Sequence, residues 1–234
     1  AGDQSPHLIW GKRAHERMLE LKSRTSREEI GHRIADAVEE VLQYLNGTQD
    51  DSPLLEHEVL ELRLPLRLLD EEDVREAMEE AEQWRERYEE ELQKLEDEPG
   101  LRQEHRWYVP VTRAYRRMRW YLRVRERFEQ QQEDPHKPVT LHVIRVGDVA
   151  FATNPFEYYL DFGVFIKARS PAVQTFVVQL AGPGTYVPSA RSIAGGGYGS
   201  VPASTPIGPE GGRLVAEKTV ETLLDMWDAG EDAS

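Results

Sequence analysis

Val139-Thr140-Leu141-His142-Val143-Ile144-Arg145-Val146-Gly147-Asp148-Val149-Ala150-Phe151-Ala152-Thr153 is the stretch from which the fold is read. Its β-branched and aromatic residues form two short runs, and Gly147-Asp148 stands between them. That pattern predicts a β-hairpin, Val139 to Val146 and Val149 to Thr153. Asn154-Pro155 interrupts the second run, and Phe156 to Arg169 then has the apolar spacing of a helix with Glu157 in its first turn. Thr175 to Leu180 is another compact strand. Strands that alternate with helices in this way predict an α/β chain.

Upstream, Leu60, Leu62, Leu64, Leu66 and Leu68 alternate with charged residues or proline, the period of a strand with one buried face. Pro65 cannot donate to a ladder, so this strand belongs at an edge or carries a bulge. Before it, Thr25-Ser26 and Glu28-Glu29 offer a capping box for a helix from about Ser26 to Leu45. Between the first strand and the hairpin lie two charged helical stretches, Asp70 to Asp97 and Val111 to Gln132. The second carries Arg113, Arg116, Arg117, Arg119, Arg123, Arg125 and Arg127. These arginines are either a basic surface for an anionic partner or the counterpart of the glutamates on the preceding helix, and the base rate for charge runs favours the second.

Downstream, Ala181 to Gly208 is rich in Gly, Pro and Ser, the kind of long loop that lines sites. A last amphipathic helix starts at Pro209 and runs through Trp227, and Asp228 to Ser234 reads as a disordered tail. The expected architecture is one domain over 1–234: a mixed β-sheet flanked by helices, with a charged antiparallel helical hairpin inserted over 70–132.

The 234 residues carry a formal net charge of −14, which opposes nonspecific binding to the phosphate backbone of nucleic acid as the main activity. No apolar run approaches the length of a transmembrane helix. With no cysteine, any zinc must be held by histidine, carboxylate or phenolate. The seven histidines form no recognised ligand pair.

Three strings carry more chemistry than a scaffold needs: Gly2-Asp3-Gln4-Ser5-Pro6, Asn154-Pro155-Phe156-Glu157 and Gly184-Thr185-Tyr186-Val187-Pro188. Taken singly, Ser5 is a turn residue, Glu157 a helix-start carboxylate and Tyr186 a half-buried aromatic. Taken in order with Leu62-Arg63-Leu64-Pro65-Leu66-Arg67, with Ile144 to Ala150, and with Tyr198 and Gly208-Pro209-Glu210, they resemble the neutral, non-lysosomal ceramidases. The resemblance covers most of the chain except Asp70 to Lys137.

The resemblance implies a zinc-dependent amide hydrolase acting on ceramide or a related N-acyl lipid, in a secreted or periplasmic setting. It places a catalytic serine at Ser5 and metal ligands at Glu157 and Tyr186. Asp3, His7 and Tyr198 fall where substrate contacts are expected, although His7 stands where that family usually carries asparagine. The two histidine ligands of the family have no counterpart here. The chain therefore reads as the C-terminal part of a ceramidase-like catalytic domain, whose partner is the N-terminal half of the same domain and which is inactive alone. Ser5 either attacks the amide carbonyl or positions a metal-bound water. Two other readings stand beside this one: a hydrolase of the same fold acting on a different amide or ester, and a non-catalytic interaction fragment that presents its charged hairpin.

Overall fold

The computed structural model describes residues 3, 12–45, 47 and 49–231. Ser5 and His7 lie outside them. The chain divides into two compact units, Gln4–Leu55 and Ala1–Asp3 with Glu56–Ser234, where the sequence predicts one domain.

In the first of these units, α1 (Lys12–Lys22) leads into α2 (Ser26–Leu42). The expected capping box is present: the Thr25 side chain accepts from the Glu28 N–H, and the Glu28 carboxylate accepts from the Thr25 N–H. Glu29 is buried and bonded by Lys22 at 2.7 Å, Arg24 at 3.2 Å and Arg33 at 3.2 Å. Lys22 first, then Arg24 and Arg33, pull its pKa from 4.5 down to about 2. A carboxylate whose pKa is depressed on folding stabilises the folded state above its unfolded value, and that stability goes as pH falls through the folded value. Helix content lost on Glu29→Gln at neutral pH should therefore shrink between pH 4.5 and pH 2. A circular-dichroism titration of the two proteins checks this, and a pH-independent difference contradicts it.

The larger unit is built on a four-stranded sheet in the order β1-β2-β3-β5. Its strands are β1 (Leu55–Pro65), β2 (His136–Val146), β3 (Val149–Thr153) and β5 (Gln174–Val178), while β4 (Glu157–Tyr158) belongs to a second, smaller sheet. β2 and β3 are the expected hairpin, antiparallel with Val146 opposite Val149. Gly147 takes a φ of 56°, which a two-residue hairpin turn needs at its first central position. β3 and β5 run parallel, so the sheet is mixed. β1 ends at Pro65 on the sheet edge, where a missing N–H costs least.

One face of the sheet is buried by helices, as the α/β pattern requires. Leu64, Leu141, Val143 and Ala150 share a core with Phe162 and Ile166 of α5 (Leu160–Lys167) and with Val215, Val220 and Leu223 of α7 (Pro209–Glu231). Because α7 continues to Glu231, positions 228–231 are helical rather than a disordered tail. Between β1 and β2 stand α3 (Glu71–Asp97) and α4 (Val109–Gln130). Ala77 of α3 and Val124 of α4 are buried together with Leu69, and Tyr88 meets Tyr115 at 5.5 Å between ring centroids. No helix among the described residues is long and apolar enough to cross a membrane.

Candidate functional site

Glu157 is not in a helical first turn. Asn154 and Phe156 are buried, the Asn154 side chain accepts from the Phe156 N–H at 3.0 Å, and the next two residues form the short strand β4. Its partner is β6 (Tyr186–Val187), which lies inside the stretch read from sequence as a long loop. The Glu157 N–H donates to the Thr185 carbonyl at 3.1 Å, and the Tyr159 N–H to the Val187 carbonyl at 3.3 Å. The two strands run parallel with Glu157 directly opposite Tyr186. Paired residues on neighbouring strands project from the same face, about 4.8 Å apart at the backbone.

Gly184 makes this approach possible. A Cβ there would stand 1.8 Å from the Pro155 carbonyl oxygen and 2.4 Å from its carbon, so any side chain at this point would separate the strands. Gly199 does the same on the other flank, where a Cβ would meet the Tyr159 hydroxyl at 2.5 Å and the Tyr186 ring at 3.0 Å.

Burial first, then hydrogen bonding to and the charge of Glu157, push the Tyr186 phenol up to about 12. The phenol therefore holds its proton at neutral pH beside a carboxylate. Together they form a pair of oxygen donors suited to a hard or borderline cation. Tyr198 packs its ring edge-on against Tyr186, with centroids 5.8 Å apart, and is 59% exposed. Buried Tyr159 sets its hydroxyl 3.4 Å from Ser200 Oγ behind them. Asp3 accepts from the Leu160 N–H at 2.8 Å and so caps the helix that follows β4.

The structure thus brings Glu157, Tyr186 and Tyr198 together, and Asp3 is held by its helix-capping bond at Leu160, three positions after Glu157. Of the histidines, His57 and His142 form a pair that sequence spacing does not reveal: Nε2 and Nδ1 lie 3.0 Å apart, 85 positions apart in sequence. Among the described residues no three His, Cys, Asp or Glu side chains gather in a way that could hold a metal ion.

Two arginines that sequence reasoning left among the surface charges hold the wall of the site. Arg67 donates to the Ser200 carbonyl at 2.6 Å and to Thr205 Oγ1 at 2.7 Å. Arg127 donates to the Pro202 carbonyl at 2.7 Å and the Thr205 carbonyl at 3.4 Å, and burial, with Arg67 beside it, lowers its pKa to about 10. They fix the segment carrying Tyr198 against α4.

No α4 arginine forms an ion pair with an α3 glutamate among the described residues, although Arg113 lines a cleft with Glu90 and Glu91 of α3. Four acids of α3 pair within their own helix, Glu72 and Glu79 with Arg75, Glu82 with Arg85, and Glu91 with Lys94. Intrahelical pairs at i,i+3 and i,i+4 satisfy them locally. Arg113, Arg116, Arg117, Arg119 and Arg123 of α4 line an open cleft of about 650 Å³ that also has Tyr198 in its wall. Comparison with protein-family models, with curated proteins and with solved structures returns no match for this chain.

Proposed function

We propose that this chain is part of a zinc-dependent amide hydrolase acting on an N-acyl lipid such as ceramide, to which it supplies Glu157, Tyr186 and Ser5. The observation that carries the reading is the register of β4 and β6. Two residues 29 positions apart, each picked out as a ligand from its sequence context, stand opposite one another. A carboxylate and a phenol fit zinc as oxygen donors, and two histidines outside this chain complete the set. When bound, zinc polarises the amide carbonyl and offsets the charge that develops on its oxygen.

The chain's own residues do the rest. Glu157 keeps the Tyr186 hydroxyl in place, Tyr198 forms the exposed wall along which substrate lies, and Tyr159 with Ser200 closes the back of the site. Ser5 attacks the carbonyl or holds the attacking water.

Zinc content tests the assignment. In protein carrying the preceding segment, Glu157→Ala should abolish zinc binding and N-acyl lipid hydrolysis and leave the melting curve nearly unchanged. Unchanged zinc stoichiometry by elemental analysis sinks it. The cleft of α4 arginines beside Tyr198 favours a second reading within the same class, in which the amide or ester cleaved belongs to a substrate other than ceramide.

A further inference from the structure

The cleft beside Tyr198 is lined by six arginines, Arg106 and five on α4, and by no acidic residue. Arg113, Arg116, Arg117, Trp120 and Arg123 recur every three or four positions, so one face of α4 collects them. Of these cations, Arg119 reaches Glu126 at 3.3 Å, and Arg117 lies over the rings of Trp120 at 4.8 Å and Tyr198 at 5.3 Å. Arg113, Arg116 and Arg123 have no ion pair among the described residues. Like charges at this spacing destabilise a helix, and here they persist in a chain whose net charge is −14. An anion in the cleft would turn that repulsion into attraction.

We propose that this cleft is a phosphate-recognition subsite, and that it holds the phosphate-bearing end of the substrate cleaved at Glu157 and Tyr186. Only the second half rests on the hydrolase reading. Guanidinium forks match phosphate oxygens two at a time, which favours a phosphate ester over a lone carboxylate where several arginines converge. Trp120 stacks on Tyr198, with centroids 5.7 Å apart and planes at 28°, and Tyr198 in turn abuts Tyr186. This aromatic wall, stacked from Trp120 to Tyr198 and edge-on from Tyr198 to Tyr186, runs from the arginines to the candidate ligands, so a molecule anchored by its phosphate extends along it to the reacting end. A long nucleic acid fits poorly, because the rest of the chain is strongly acidic and the cationic surface is one cleft.

Titration of the chain with inorganic phosphate and with dodecyl phosphate, followed by calorimetry and by the Trp120 indole resonance, tests this. Both probes should shift Trp120. Affinity should fall at least tenfold in Arg113→Gln/Arg123→Gln, whose side chains are exposed, fall severalfold in the charge-retaining Arg116→Lys, and stay unchanged in Glu157→Gln. Dodecyl phosphate binding at least tenfold tighter than inorganic phosphate assigns the site to a lipid headgroup, and equal affinity assigns it to a soluble phosphate ester. The proposal is overturned if neither probe binds, if the arginine variants bind as the parent does, or if oligothymidylate binds more tightly than either probe and gains with length. If Glu157→Ala keeps its zinc while phosphate binding holds, the hydrolase reading fails and the anion site stands.

Discussion

Gly184→Ala destabilises the chain by more than about 3 kcal/mol, beyond the usual cost of overpacking, because the clash is with backbone on both sides. The added methyl stands 1.8 Å from the Pro155 carbonyl oxygen and 3.0 Å from the Phe156 Cα, and no side-chain rotation relieves it. Asn154 and Phe156 are buried on either side, so the Asn-Pro-Phe segment has nowhere to retreat. The strand pair must open, and Tyr186 leaves Glu157. Chemical denaturation measures the stability, and amide exchange at Glu157, whose N–H is bonded to Thr185, reads the loss of pairing. Gly163→Ala is the control: a Cβ there meets nothing within 4 Å, and in a helix the change gains about 0.5–1 kcal/mol. Equal effects at the two glycines would remove steric approach as the reason for Gly184.

Gln131→Leu is the second large loss expected. The Gln131 side chain accepts from the Leu69 N–H at 2.9 Å and donates to the Leu69 carbonyl at 2.8 Å, acting as a strand partner for one buried residue. Leucine has a similar shape but leaves both backbone groups unpaired, at about 1–3 kcal/mol for each. The clamp joins the residue before the α3 N-cap to the C-cap of α4, so its loss should loosen the contact between these helices near Val124. Gln131→Glu keeps the acceptor and loses the donor. Its denaturation midpoint should fall between those of parent and Gln131→Leu, and a neutral Gln131→Leu contradicts the clamp.

Much of the sheet was readable because its cues are local. The β2–β3 hairpin follows from alternation around Gly147-Asp148, and the edge placement of β1 follows from Pro65. The helical reading of Glu157 failed for a non-local reason: its N–H is taken by Thr185, and nothing near Glu157 in sequence announces β6. The charge pattern of α3 and α4 does not tell which ion pairs form, because composition counts charges without showing which way they face: the ion pairs of the α3 acids lie within α3. α2 lies in the smaller of the two compact units. Its Ile30, Ile34, Val38 and Val41 have helical period, as read, yet all are exposed.

Among the site residues, Glu157, Tyr186 and Tyr198 were named from ordered motifs and lie together. Their supports, Gly184, Gly199, Arg67 and Arg127, were not named as such. Each depends on a neighbour brought close by the fold.

Arg67 holds the Ser200 carbonyl across 133 positions and the Thr205 hydroxyl across 138. On a ribosome, which releases the N-terminal part first, Arg67 waits for its first acceptor until Ser200, 133 positions later, has been made. The wall bearing Tyr198 can close only after Thr205 has left the exit tunnel. Until then the α4 arginines and the Tyr198 face are not yet one surface, and ligand recognition comes later than the folding of α4 itself.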